Sequence, residues 1–197
     1  MRSLLLYLRF VGTGYCGYQV QKNGVSITQR LQDAIETVFG ARLPVKGCSR
    51  TDAGVHANMF CVSFQTESTI PCDAVVRALN TNLPYDIAVY DCKEAVLGFH
   101  ARYDARGKEY CYKFDNGKTR NPFLHGLAYH CRYPLDEKVL NALAQGFVGT
   151  YDFAALCAAK STVKDTVRTV SDCAVAREGD TVTFFVRGDG FLYNMVR

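Results

Sequence analysis

Apolar and polar positions along this chain of 197 residues alternate in two rhythms, one of period two and one near 3.6. Leu4–Phe10 reads as a first strand. Thr28–Phe39 places Leu31, Ala34, Ile35, Val38 and Phe39 on one helical face, with Gly40 as its stop. Leu43–Cys48 and Ala57–Thr66 read as paired strands, the second alternating like a half-buried one. Asp73–Thr81 is a short helix with Asp73 in the N-cap position, and Asp86–Cys92 closes the set. The order β-α-β-β-α-β is the ferredoxin-like one.

The second half starts the same order again. Glu109–Phe114 is a strand. Asp136–Phe147 is a helix with Leu140, Leu143, Ala144 and Phe147 facing inward and Gly149 as its stop. Val167–Ala176 and Thr181–Arg187 form a hairpin around Glu178-Gly-Asp180, and a second helix is expected from Gly190 onward. The sequence ends at Arg197, so by the repeat pattern this half lacks most of one helix and its last strand. The expected fold class is α+β: two ferredoxin-like halves, residues 1–105 and 106–197, forming one extended, mostly antiparallel sheet with helices on one face. The second half is incomplete, and the chain is expected to be truncated at its C-terminus.

A hydrophobic fraction of 48% is ample for a core, and a net charge of +4 permits RNA binding without demanding it. Leu4-Leu-Leu-Tyr-Leu8 is too short for a signal or membrane segment. Nine cysteines invite a metal or disulfide reading. Their number is odd and no pair has C-x-x-C spacing, so no zinc site is expected. Cys61, Cys111 and Cys173 lie on strand-like stretches, where a thiol acts as a small hydrophobe. Reduced thiols place the chain in the cytoplasm.

Candidate chemistry concentrates in Ser49-Arg-Thr-Asp-Ala-Gly-Val-His-Ala57. Asp52 falls in a loop between two strands, where a side chain can face a cleft. Gly54 supplies the positive φ such a turn often needs. Taken alone, Asp-Ala-Gly also fits a plain hairpin turn.

The whole run resembles the catalytic motif of the TruA family of tRNA pseudouridine synthases, and the rest of the chain follows that family in order. Gly12-Thr-Gly-Tyr15 and Gly17-Tyr-Gln19 are similar to its opening loop, Asn80-Thr-Asn-Leu-Pro84 to its N-x-N-L-P segment, and Phe99-His-Ala-Arg102 to its F-H-A-R motif. Lys108-Glu-Tyr-Cys-Tyr112, Arg168-Thr-Val170 and Gly190-Phe-Leu-Tyr-Asn-Met-Val-Arg197 fit the later motifs. Phe10-Val11 departs from the usual Tyr-Asp, and Tyr18 stands where Trp is common.

The resemblance implies a cofactor-free, metal-free isomerase acting on the tRNA anticodon stem-loop, around positions 38–40, as a homodimer when full length. Asp52 would be the catalytic carboxylate and Arg197 its counter-cation. Tyr110 would hold the target uracil, although Tyr112 shares its strand face. Arg50 would assist base flipping. His56, Arg102 and Arg168 would contact RNA or brace the site. The second reading is a catalytically inactive tRNA-binding fragment that lacks the C-terminal helix and strand.

Overall fold

The computed structural model describes residues 1–158 and 163–196. The chain divides into two compact units, Met1–Ala105 and Arg106–Arg197.

The first unit runs β1 (Arg2–Phe10), α1 (Ile27–Phe39), β2 (Lys46–Gly47), β3 (Ala57–Thr66), α2 (Cys72–Asn82) and β4 (Ile87–Ala95). Its sheet is antiparallel, in the order β2-β3-β1-β4. This is the ferredoxin-like arrangement. Leu4, Leu6, Leu8 and Phe10 alternate inward and meet Phe60, Val62 and Phe64 of β3 in a buried core. Leu31, Ala34 and Ile35 of α1 and Val75 and Leu79 of α2 close that core from one face. Ser26 caps α1 by accepting from the Gln29 amide at 3.1 Å, and Gly40 ends it at φ 72°.

Two local expectations need correction. The strand expected at Leu43–Cys48 shrinks to Lys46–Gly47, because Pro44 has no N–H to give a ladder while Leu43 and Val45 pack directly on the core. Asp73 is not the N-cap of α2. Pro71 takes that position, and Asp73 sits in the first turn, paired with Arg77 at 2.9 Å. A carboxylate is favourable in either place.

The second unit contains β5 (Lys108–Asp115), β6 (Tyr129–His130), α3 (Glu137–Gln145), β7 (Gly149–Asp152), β8 (Val167–Glu178) and β9 (Thr181–Gly188). The sheet order is β6-β5-β9-β8-β7, so β5-β9-β8 repeats the pattern β1-β3-β2 of the first unit. The α+β class holds, with the strands hydrogen-bonded as two sheets, one per unit, rather than as one extended sheet. Alternation along a strand dictates its faces and carries no information about its lateral partners.

Helix α3 is shorter than expected and is capped by Asp136, which accepts from the Lys138 and Val139 amides. It ends at Gly146, not Gly149, and it packs on β8. Ala144 is buried there, whereas Leu143 and Phe147, expected to face inward, are exposed. A nine-residue helix lying over one strand buries only the centre of its apolar stripe. The helix expected from Gly190 does not form among the described residues. A turn stands at residues 193–196, with Met195 bonded back to Leu192 and Asn194 at φ 61°.

Candidate active site

The loop bearing Asp52 is shaped from beneath by the opening loop of the first unit. Gly17, at φ 110°, lies so close that a Cβ there would meet the Thr51 carbonyl oxygen at 2.6 Å, and the neighbouring Tyr18 amide donates to that same oxygen at 3.0 Å. A Cβ on Gly12 would lie 2.0 Å from the Val55 oxygen. Both positions therefore need glycine for close backbone approach. The Gly54 amide donates to the Tyr15 carbonyl at 3.3 Å, and the Gly12 amide donates to Nδ1 of His56 at 3.0 Å. Gly54 adopts φ 78°, the conformation the turn requires.

Two tyrosines fix the opening loop in turn. The Tyr15 hydroxyl donates to Asp86 at 2.6 Å; burial first, and then that carboxylate, push its pKa up to about 12. Tyr18 is buried against Phe60, with ring centroids 4.6 Å apart, and its own pKa is driven upward by burial. Its ring occupies the space where a Cβ on Gly47 would sit. The opening motif thus acts by its backbone, which motif matching alone does not reveal. The glycine spacing at 12, 14 and 17 was the available signal.

Arg50 and Asp52 are both exposed on this loop, and His56 stands half-buried at its foot. Arg102 belongs to a segment laid over the helix-free face of the first sheet. There the Gly98 amide donates to the Ser3 hydroxyl at 3.2 Å and the Ala101 amide to the Ser63 hydroxyl at 3.0 Å. Both serines are buried, a role the alternation pattern did not announce. His100 stiffens the segment: its ring lies 4.2 Å from that of Tyr103 and its Nδ1 accepts from the Arg102 amide. The Arg102 side chain is exposed.

The second unit gathers other predicted residues. Tyr110, half-buried, meets the Phe191 ring edge-on at 5.2 Å and 86°. The Thr169 amide donates to Asp189, and the Asp189 amide donates back to the Thr169 carbonyl, both at 3.1 Å. A Cβ on Gly188 would meet that carbonyl at 2.7 Å. The Arg168 and Gly190 motifs are therefore stitched together, and Arg168 bonds the carbonyls of Asp165 and Val167. Tyr112, on the same strand face as Tyr110, is more exposed and lies 5.0 Å from Phe114. Arg197 lies outside the described residues.

No disulfide joins any of the nine cysteines. No cluster of three or more His, Cys, Asp or Glu suited to a metal occurs among the described residues, and no helix among them is long and apolar enough to cross a membrane.

The first unit is thus a ferredoxin-like α+β unit that presents an Arg-Thr-Asp loop on a glycine cradle. A family model described as tRNA pseudouridine synthase matches residues 7–104 and 143–197, and the chain belongs to that family. It is similar over its whole length to tRNA pseudouridine synthase A of Halalkalibacterium halodurans, at 41% identity over 198 residues and 75% of that relative's length. Its identity to tRNA pseudouridine synthase A of Clostridium kluyveri is 44%, and to that of Brevibacillus brevis 42%, in each case over 81% of the relative.

Proposed function

We propose that the chain isomerises uridine to pseudouridine in tRNA, with Asp52 as the carboxylate acting at C1′. The reaction breaks the N1–C1′ bond, turns the uracil and joins C5 to C1′, with no net redox change. A carboxylate beside C1′ stabilises the developing sugar cation or captures it covalently. The single observation carrying this reading is an exposed Asp52 on a loop held by main-chain contacts, in a chain of this family. Such a loop can present a carboxylate without reorganising at the moment of reaction.

Other candidate residues divide the remaining tasks. Arg50, exposed two positions before Asp52, fills the gap left by a flipped base or holds phosphate. Tyr110 holds the uracil, its ring steadied by the edge contact with Phe191. Arg197 is the cation that keeps the catalytic carboxylate ionised against desolvation. His56 braces the loop, while Arg102 and Arg168 meet RNA. The substrate is the anticodon stem-loop, around positions 38–40, read by shape and phosphate contacts. The working form is a cytoplasmic homodimer that needs neither metal nor cofactor.

Tritium release from tRNA carrying C5-tritiated uridine, run on this chain beside Asp52→Ala, tests the reading. Release by the parent alone is the expected result. Bound tRNA with no release from the parent would leave a binding function and overturn the isomerase assignment.

A further inference from the structure

The helix-free face of the first sheet carries a cationic and aromatic cluster that neither the Asp52 loop nor the 98–104 segment uses. The Arg9 guanidinium lies 4.4 Å from the Tyr90 ring centre, Tyr90 lies 6.1 Å from Tyr7, and the Lys93 ammonium sits 5.3 Å over Tyr7. Lys93 pairs with Asp91 at 3.2 Å, so the patch holds two cations against one carboxylate.

Two interruptions of the ladder build this patch. Regular alternation from Ile87 and Val89, both buried, would send Asp91 and Lys93 into the core. Between β1 and β4 the register slips, Tyr7 facing Asp91 and Leu8 facing Val89, so Tyr90 is the extra residue. The parity is thereby reset: Cys92 is buried and Lys93 returns to the open face. On the other side, Leu8 faces Phe60 and Phe10 faces Ala57, so Arg9 is opposed by both Asn58 and Met59. Both of those residues are exposed, and they directly follow the Asp52 loop along the chain. Bulges weaken a ladder, and native sheets keep them where a side chain must be re-aimed. Here each turns side chains toward the Arg9–Tyr90 stack.

We propose that this face, through Tyr7, Arg9, Tyr90 and Lys93, binds a single-stranded stretch of the substrate RNA beside the catalytic loop. A planar cation stacked on an exposed ring offers a base its π-surface, and the two cations complement phosphate. The inference rests on the tRNA-directed function proposed above and adds a contact surface to it.

The test measures tRNA dissociation constants at two salt concentrations for the parent, Tyr90→Leu and Arg9→Gln, with tritium release run in parallel. Removing the stacked ring is expected to weaken tRNA binding by roughly tenfold, with the loss appearing in KM rather than kcat. Arg9→Gln is expected to lower the salt slope by about one. The chain has no tryptophan, so Tyr90→Trp introduces a single indole whose fluorescence should be quenched by tRNA and by short oligouridylate. Circular dichroism matching the parent confirms that each variant is folded. Unchanged affinity and slope in both folded variants, with no quenching, would overturn the surface while leaving a catalytically active parent intact. Tyr90→Leu that alters self-association but not tRNA affinity would make the face a protein interface and also overturn it. A parent that binds RNA through these residues yet releases no tritium would sink the isomerase reading alone.

Discussion

Gly12 donates its main-chain N–H to Nδ1 of His56 across 3.0 Å, joining the opening loop to the foot of the loop that carries Asp52. The same glycine sits against the Val55 carbonyl with no room for a Cβ. Gly12→Ala is therefore expected to lower stability by about 1–3 kcal/mol and turnover by roughly tenfold or more through misplacement of the carboxylate. Gly14, with open space where a Cβ would go, is the control: Gly14→Ala should stay within about 0.5 kcal/mol of the parent. Urea titration and tritium release measure both.

Tyr110 and Tyr112 share a strand face but differ in setting, one against Phe191 and the other exposed beside Phe114. Tyr110→Phe keeps the ring and its edge contact and removes only the hydroxyl. If that hydroxyl moves a proton at C5, kcat should fall by roughly 100-fold with tRNA affinity retained. Tyr112→Phe should leave both unchanged. Single-turnover kinetics would show it.

Asn80 gives both halves of its amide to Val89 on the outer edge of β4, donating to the carbonyl at 2.6 Å and accepting from the N–H at 2.9 Å. The side chain thus stands in for a neighbouring strand and blunts an exposed edge. Asn80→Ala is expected to cost about 1–3 kcal/mol, because two backbone groups lose their partner. Faster hydrogen exchange at the Val89 amide would locate the loss.

Asp115 is buried and accepts from the amides of Asn121 at 2.8 Å and Gly117 at 3.4 Å. Those bonds, the Asn121 amide foremost, together with nearby His130, hold its pKa below the ordinary carboxylate value. A depressed folded-state pKa contributes stability that is present above the unfolded value, near 3.9, and is lost as pH falls below it. Asp115→Asn should be less stable than the parent at neutral pH and show a shallower decline below about pH 4. Melting curves across that range decide it.

Burial pushes the Cys61 thiol up to about 11 and Cys92 up to about 12, the latter aided by a hydrogen bond with Cys72. Both remain protonated at neutral pH and should alkylate slowly. Cys111 is exposed and should react first. Mass-resolved iodoacetamide labelling of the folded protein reads the order, and Cys92 labelled ahead of Cys111 would contradict it.

Long periodic segments were legible in the sequence because burial acts on whole faces: α1 and β3 appear almost where the pattern puts them. Features that depend on a neighbour were not. The register slips at Tyr90 and at Asn58–Met59 reset which residues face outward, and no local alternation encodes that reset. Ser3 and Ser63 read as polar strand positions, yet they are buried as anchors for residues 98–101. β6 and β7 are too short to have a period of their own. For the candidate site, the Asp52 run stood out because its residue types are chemically specific. The work of Gly12 and Gly17 was hidden, because a missing side chain leaves no signature beyond the letter itself.

The cradle under Asp52 touches main-chain oxygens, those of Thr51 and Val55, rather than side chains. Mutational tolerance should be distributed accordingly. Varied side chains at positions 51 and 55 leave those carbonyls where they are, while a single methyl at position 12 or 17 collides with them. A library randomised only within the motif would find permissive positions and understate the constraint. The intolerant positions lie more than thirty residues upstream, in a loop that carries no chemistry of its own.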